Sequence, residues 1–484
     1  MNRLLSDHIP GDPGWPTNED CGKLNKSVEG RLIATPQVAS LCHEPNYYEA
    51  AYTALKTEWS FSEVYYSLEV ACPDDVRAGI KFSKDHGVRL VIKNTGHDLL
   101  GKSTGKGGLA LWTHKLDSLD VVADYDSQYY TGPAIKIGDG VLARLSNGDR
   151  GCPSGGYGMI TGLSGLGADD VLEWEIVSAD GSHLIATPNR NSEIYWALSG
   201  GGGSTYGVVL SMTARLYDEG RIGSGYLTFN ASEVGMDTFW KAVEKYHAVL
   251  PSIIEAGATA LYTIASEGVF SILALAARGR TAEQVTNLLL PLLKFLDNGS
   301  LDYVWIPSSA ESSYDYFSGT FGPLPWGLLP VSQRMTSRII PRAPPRPPTA
   351  VLPAWREALT HCMVIANWDR SVPFLEMRAR QDELVTDFTL ALVEVTPRSG
   401  TYMNEGNPEQ PNWRREFFGD NWSRLSEIKA KYDPEGLFYA PTTVRSEAWM
   451  SDSDGRLCKA RGSRLLRRTE FHETTSCEYY GADA

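Results

Sequence analysis

Val88-Arg89-Leu90-Val91-Ile92 runs into Lys93-Asn94-Thr95-Gly96-His97-Asp98-Leu99-Leu100-Gly101-Lys102-Ser103. The first stretch is apolar and β-branched, as a buried strand requires; in the second, small and turn-forming residues replace the apolar pattern and predict a loop. Glycines let a main chain approach a ligand without a Cβ in the way, and converging backbone N–H groups cradle an anion. Asn94, Thr95, Gly96, His97, Asp98, Gly101 and Ser103 are therefore candidates to hold a pyrophosphate. A lone Gly-His-Asp loop is equally compatible with a plain connection. Upstream, Cys72-Pro73-Asp74-Asp75 opens a helix with Val76, Ile80 and Phe82 near helical spacing and Asp74 or Asp75 available to cap it.

Downstream, strands are expected at 110–112, 121–122 and 134–137. Val171 to Ser178 and His183 to Thr187 form a hairpin across an Ala179-Asp180-Gly181 turn. After Arg221 come a strand at 226–229, a helix near 237–250, strands at 258–264 and 269–275, and a helix opened by Thr281-Ala282-Glu283-Gln284, which Pro291 is expected to kink or end. This pattern predicts a second antiparallel sheet covered by helices on one side. Residues 1–57 read as an N-terminal extension with one helix at 46–57. The proline-dense stretch 341–353 reads as a polyproline surface connection.

Five further blocks carry glycine or paired polar residues: Arg150-Gly151-Cys152-Pro153-Ser154, Gly165 to Leu172, Trp196 to Val209, Ser399-Gly400-Thr401-Tyr402-Met403-Asn404-Glu405, and Phe418 to Pro434. In this order, and together with the Gly-His-Asp loop, they resemble the flavin-binding blocks of the vanillyl alcohol oxidase superfamily, specifically its berberine bridge branch. The nearest resemblance is to fungal secondary-metabolism oxidases, including the ergot-alkaloid enzyme that forms chanoclavine.

The resemblance implies an α+β, two-domain PCMH-type FAD-binding fold with a second antiparallel sheet covered by helices. It implies an FAD-binding domain over 58–218, a substrate domain over 219–400, a C-terminal segment over 401–450 that returns to the FAD domain, and a tail over 451–484. His97 would tether FAD covalently, and Cys152 would form a second bond or remain a simple thiol. Gly162, Gly207, Val208 and Asn404 would face the cofactor. Tyr402 and Glu405 would be catalytic, Tyr402 needing help from a positive charge or from Glu405 to act as a base, because a phenol of ordinary pKa is a poor base at neutral pH. The implied reaction oxidises a small organic substrate, an alkaloid or similar metabolite, with O2 as acceptor; an oligosaccharide is the second choice. The chain is shorter than this family's pattern between Ser67 and Cys72 and before Cys152, which keeps open a flavin-free relic of the fold.

Lys plus Arg number 45 and Asp plus Glu 59, and the net charge of -14 opposes a polyanionic partner such as nucleic acid. No stretch approaches the ~20 apolar residues of a membrane span, and the opening residues lack a secretory leader's apolar core, which makes the cytosol the default compartment. Against it stand Asn-x-Ser triplets at Asn25, Asn230, Asn298 and Asn421. The seven cysteines show no zinc-ligand spacing, and a Cys21–Cys42 bridge is one candidate pairing. No metal site is expected, and the oligomeric state is not legible.

Overall fold

The structure, a computed structural model, describes residues 6–35, 64–94, 96, 100–141, 154–158, 161, 165–322, 348–364, 372–407 and 409–460. The expected helix at 46–57, the stretch 341–347, the end of the tail, and Thr95, His97, Asp98, Cys152 and Gly162 lie outside the described residues.

Helix α1 (Asn18–Ser27) leads to β1 (Leu32–Ala34) and β2 (Tyr66–Glu69), and helix α2 (Pro73–His86) leads to β3 (Leu90–Lys93) and β4 (Leu109–Trp112). Proline at the first turn and Asp75 at its third position start α2: the Asp75 carboxylate accepts from the amides of Ala71 and Cys72 at 2.9 and 3.2 Å. Gly87, at φ +60°, stops it. The strands order as β1-β2-β4-β3, with β4 parallel to both β2 and β3. Gly79 lets α2 lie against this sheet, since a Cβ there would sit 2.5 Å from Leu111 Cδ2.

Strands β5 (Leu119–Ser127), β6 (Tyr130–Gly138), β7 (Val171–Val177), β8 (His183–Ala186) and β9 (Val208–Arg215) form the second sheet, ordered β5-β6-β9-β7-β8 and antiparallel throughout. Helix α3 (Ser192–Leu198) packs on it, and the hairpin read from the sequence is β7–β8.

A third sheet, β11-β12-β10-β13, comprises β10 (Ile222–Asn230), β11 (Ala258–Ala265), β12 (Val269–Arg278) and β13 (Tyr303–Ala310). Helices α4 (Gly235–Glu255) and α5 (Ala282–Asn298) bury their apolar faces against it, as expected from the sequence. Both helices run on through prolines, Pro251 and Pro291. Pro291 thus does not end α5. The missing N–H costs one backbone bond, but Leu289, Leu292, Leu293 and Leu296 bury on both sides of it, and that burial outweighs the loss.

Two further expectations need correction. Ala350, Val351 and Leu352 are buried, with the Ala350 amide donating to Ser199 O at 2.8 Å, so the end of the proline-rich stretch is core rather than surface. Cys21 is a free, buried thiol and forms no bridge to Cys42. Burial raises its pKa, which keeps it protonated. Cys458 is disulfide-bonded.

Candidate functional site

Parallel strands β3 and β4 end side by side, and the loop read as an anion cradle begins where β3 stops. Trp112 Nε1 donates to the Asn94 carbonyl at 3.1 Å, and the Asn94 amide donates to the Asp139 carbonyl. These bonds hold the loop entrance while the Asn94 Oδ1 acceptor stays buried with no hydrogen-bond partner among the described residues. A buried acceptor of this kind costs free energy unless something completes it. Gly96 and Gly101 sit at φ +81° and +71°, conformations that favour glycine. A buried acceptor beside a glycine-hinged loop fits a polar, extended ligand. Behind the loop, burial raises the Asp139 carboxyl to about 6, against the bond from the Thr113 hydroxyl.

Three sequence blocks meet at Met403. Lys102 Nζ donates to the Met403 carbonyl at 3.0 Å, tying the loop to the C-terminal segment. On the other side lies the glycine run: Gly202 has φ +105°, and a Cβ there would lie 3.2 Å from Met403 Sδ. Gly200, at φ +112°, gives way to the buried Val351, whose backbone nitrogen lies 2.4 Å from the position of a Cβ. The Gly203 amide donates to Ser154 Oγ at 3.4 Å, linking the Cys-Pro-Ser block. Ser103 lies on the same loop. Gly207 and Val208 stand apart: Gly207 backs onto β7, and Val208 pairs with Val177 and buries its side chain in the core between α2 and the first two sheets.

Around Tyr402 the structure assembles a box of rings. Tyr157, Trp355 and His361 surround it, with centroids 5.5, 5.5 and 6.0 Å from the Tyr402 ring. Tyr157 and Trp355 also stack at 6.0 Å. Two polar pairs are set into this box. Asn404 Nδ2 donates to the Tyr402 hydroxyl at 2.9 Å. The Tyr157 hydroxyl reaches both Glu405 oxygens, at 3.0 and 2.8 Å, with His361 Nε2 3.7 Å from that carboxylate.

Arg356 anchors the segment that carries Trp355. Its guanidinium makes a two-pronged pair with the buried Asp169, 2.6 Å on each side, and a third bond to Thr349 at 2.9 Å. The Leu166 amide donates to the same carboxylate at 3.0 Å. This fork clamps the segment 349–356 against the second sheet. Sequence reasoning missed Tyr157, Trp355, Arg356 and His361. The glycine run around Tyr157 was a usable signal; the other three lie where no motif marks them.

His361 gives a testable pH effect. Its Nδ1 is buried with no hydrogen-bond partner among the described residues, and burial pushes the imidazole down from 6.5 to about 4 despite the nearby Glu405 carboxylate. The folded state therefore binds this proton less readily than the unfolded chain. The neutral ring's contribution is fully present above pH 6.5 and is lost as pH falls toward 4, by about 3 kcal/mol. Asp139, with a raised pKa, acts in the opposite direction, so the comparison must be between variants. Urea unfolding at pH 7 and pH 4.5 is expected to show a smaller acid loss in His361→Phe than in the parent; equal losses would refute the assignment.

Residues 401–445 match the family model described as "Berberine and berberine like". The chain is 38% identical over 548 aligned positions to the bifunctional decalin synthase calF of Penicillium decumbens, covering 93% of this chain and 95% of that protein. It is 36% identical over 546 positions to the VAO-type flavoprotein oxidase VAO615 of Thermothelomyces thermophilus, with the same coverage. Both alignments are longer than this chain's 484 residues, so these relatives carry segments that it lacks. The crystal structure of the VAO-type flavoprotein MtVAO615 from Myceliophthora thermophila C1 superposes with a TM-score of 0.87 at 34% identity, over 94% of this chain and all of that one. The carbohydrate oxidase of Microdochium nivale, at 16% identity and a TM-score of 0.60, shares the fold.

Proposed function

Since the chain belongs to the VAO-type, berberine-bridge-like FAD-linked oxidoreductases, we propose that it oxidises a small, flat organic metabolite bound against this cluster of rings, with dioxygen as electron acceptor. The cofactor is FAD. The observation that carries the reading is the meeting of the Gly-His-Asp loop, the glycine run and the C-terminal segment at Met403, three blocks that serve one ligand together and have no common purpose apart. When bound, FAD supplies a two-electron acceptor for the substrate.

In this reading Asn94, Thr95, Gly96, His97, Asp98, Gly101 and Ser103 line the pyrophosphate, with His97 the covalent tether. Cys152 is the candidate for a second link, and Gly162 and Asn404 complete the cofactor's surroundings, whereas Gly207 and Val208 support them from the core behind. Tyr402 takes the substrate proton, its oxygen held ready by the Asn404 amide. Glu405 fixes Tyr157 and thereby one wall of the box. The substrate gives up two electrons and two protons, and dioxygen leaves as hydrogen peroxide.

An alkaloid or similar unsaturated metabolite fits better than an oligosaccharide. Stacked and edge-on rings favour a flat apolar body, whereas each sugar hydroxyl needs a polar partner.

The test begins with acid-denatured protein. Flavin colour and fluorescence remaining on the polypeptide, mapped to the His97 peptide and lost in His97→Ala, is the expected result. Flavin mapped to another histidine would refute the tether, and a colourless purified chain would refute the enzyme reading. A substrate panel followed by peroxide release then separates alkaloids from oligosaccharides.

A further inference from the structure

The four Asn-x-Ser triplets serve no part of the oxidative site, and the structure separates them. We propose that Asn230 and Asn298 are N-glycan acceptors and that Asn421 is closed to glycosylation. Glycan transfer forms a bond from the side-chain amide nitrogen to the sugar's C1. The nitrogen loses a proton and the lipid pyrophosphate departs from C1. The product amide keeps one proton, so an acceptor in the folded protein can spend at most one hydrogen bond from that nitrogen on the fold.

Asn421 fails this requirement. Its Nδ2 donates to the carbonyls of Ala350 and Val351, both at 3.0 Å, so both of its protons are committed. Those carbonyls belong to the buried strap that fills the space left by Gly200. A sugar on this nitrogen would remove one of the two bonds and push into a packed core.

Asn230 meets the requirement. It ends β10 exposed, and its side-chain oxygen accepts from both the Ser232 amide, at 3.0 Å, and the Ser232 hydroxyl. This turn brings the serine hydroxyl of the triplet onto the asparagine carbonyl while Nδ2 makes no hydrogen bond among the described residues. Asn298 is the exposed last residue of α5, and the helix buries Leu292, Leu293 and Leu296 on its opposite face.

The two asparagines stand at the same end of the third sheet. Phe229 pairs with Tyr303, and the Tyr303 hydroxyl donates to Asp297 at 3.0 Å. Beside Asn230 lie two exposed apolar side chains: Val269, its direct strand partner, and Met236, whose sulfur and the Cβ of the adjacent Ala231 both lie against Gly268. Exposed apolar groups gathered in this way are an association hazard, and a hydrated glycan on Asn230 would cover them. Independently, Cys458 is disulfide-bonded, a bond that persists in the oxidising compartments where N-glycans are added.

The test uses the full chain, secreted by a yeast behind an added leader and purified with its flavin. Peptides are treated in heavy-oxygen water with the glycosidase that converts a glycosylated asparagine to aspartate. Label is expected at positions 230 and 298 and not at 421, and Asn230→Gln and Asn298→Gln should each remove one step of gel mobility. Enzymatic removal of the glycans should raise binding of a hydrophobic dye, and Met236→Ser should reverse the rise. An unlabelled Asn230 or Asn298, or a labelled Asn421 in folded protein, would overturn the proposal. Because none of these readouts depends on turnover, failure here is separate from failure of the oxidase reading.

Discussion

Tyr402→Phe lowers the rate of substrate oxidation by roughly 100- to 1000-fold, the effect expected on removing a positioned proton acceptor. The substitution keeps the ring, so the contacts with Tyr157 and Trp355 survive and the box stays closed. It deletes only the oxygen that accepts from Asn404, leaving that amide unpaired at a cost of about 1 kcal/mol. Flavin content should therefore match the parent while the anaerobic reduction rate collapses, which separates lost chemistry from lost cofactor. Glu405→Gln is the comparison: glutamine can still accept from Tyr157, so it should reduce the rate far less. A Tyr402→Phe enzyme that reduces within fivefold of the parent, beside a crippled Glu405→Gln, would transfer the role of base to Glu405.

Lys429→Met is expected to destabilise the protein by about 3 to 5 kcal/mol, the range seen when one partner of a buried ion pair is removed. Lys429 Nζ has three protons and three acceptors: Asp433 Oδ2 at 2.6 Å, Thr205 O at 2.5 Å and Phe438 O at 2.8 Å. Its side chain is 3% exposed and that of Asp433 0%. Asp433 in turn accepts from the Leu437 and Phe438 amides at 2.8 and 2.9 Å. This knot pins helix α6 (Trp422–Tyr432) to Thr205 in the glycine run, and so to one wall of the proposed flavin site. Methionine matches the length of lysine but leaves a buried carboxylate and two carbonyls without their donor. Urea unfolding measures the loss, and flavin content at saturating FAD should fall with it. In Lys429→Met/Asp433→Leu the carboxylate is gone as well, so the double variant should lose less than the sum of the single changes. A loss under about 1 kcal/mol in Lys429→Met would show that the pair is not buried as described.

What could be read in advance was what short stretches encode. The helix and sheet order, the capping pattern at Thr281, the β7–β8 hairpin and the glycine loop after β3 depend on residues a few places apart, and the structure carries each of them. Of the two outcomes expected at Pro291, ending the helix is the one that fails, because a local rule met a non-local force: burial on both sides of it held the helix together. The proline-rich stretch misled similarly, since nothing near Val351 announces that Gly200 has left room for it.

Sequence by itself determined that this chain carries a glycine-hinged loop after a strand, a strand-rich α+β unit, a second helix-covered antiparallel sheet and a Tyr-x-Asn-Glu segment. Periodicity, glycine and capping act over one or two turns of chain. Only the tertiary structure decided which of these pieces share a site. Lys102 reaches Met403 across 301 residues, Tyr157 reaches Glu405 across 248, and Arg356 reaches Asp169 across 187. Such pairs form because strand order and core packing bring distant segments to one place, and no local property of tyrosine, histidine or arginine records the partner it will meet.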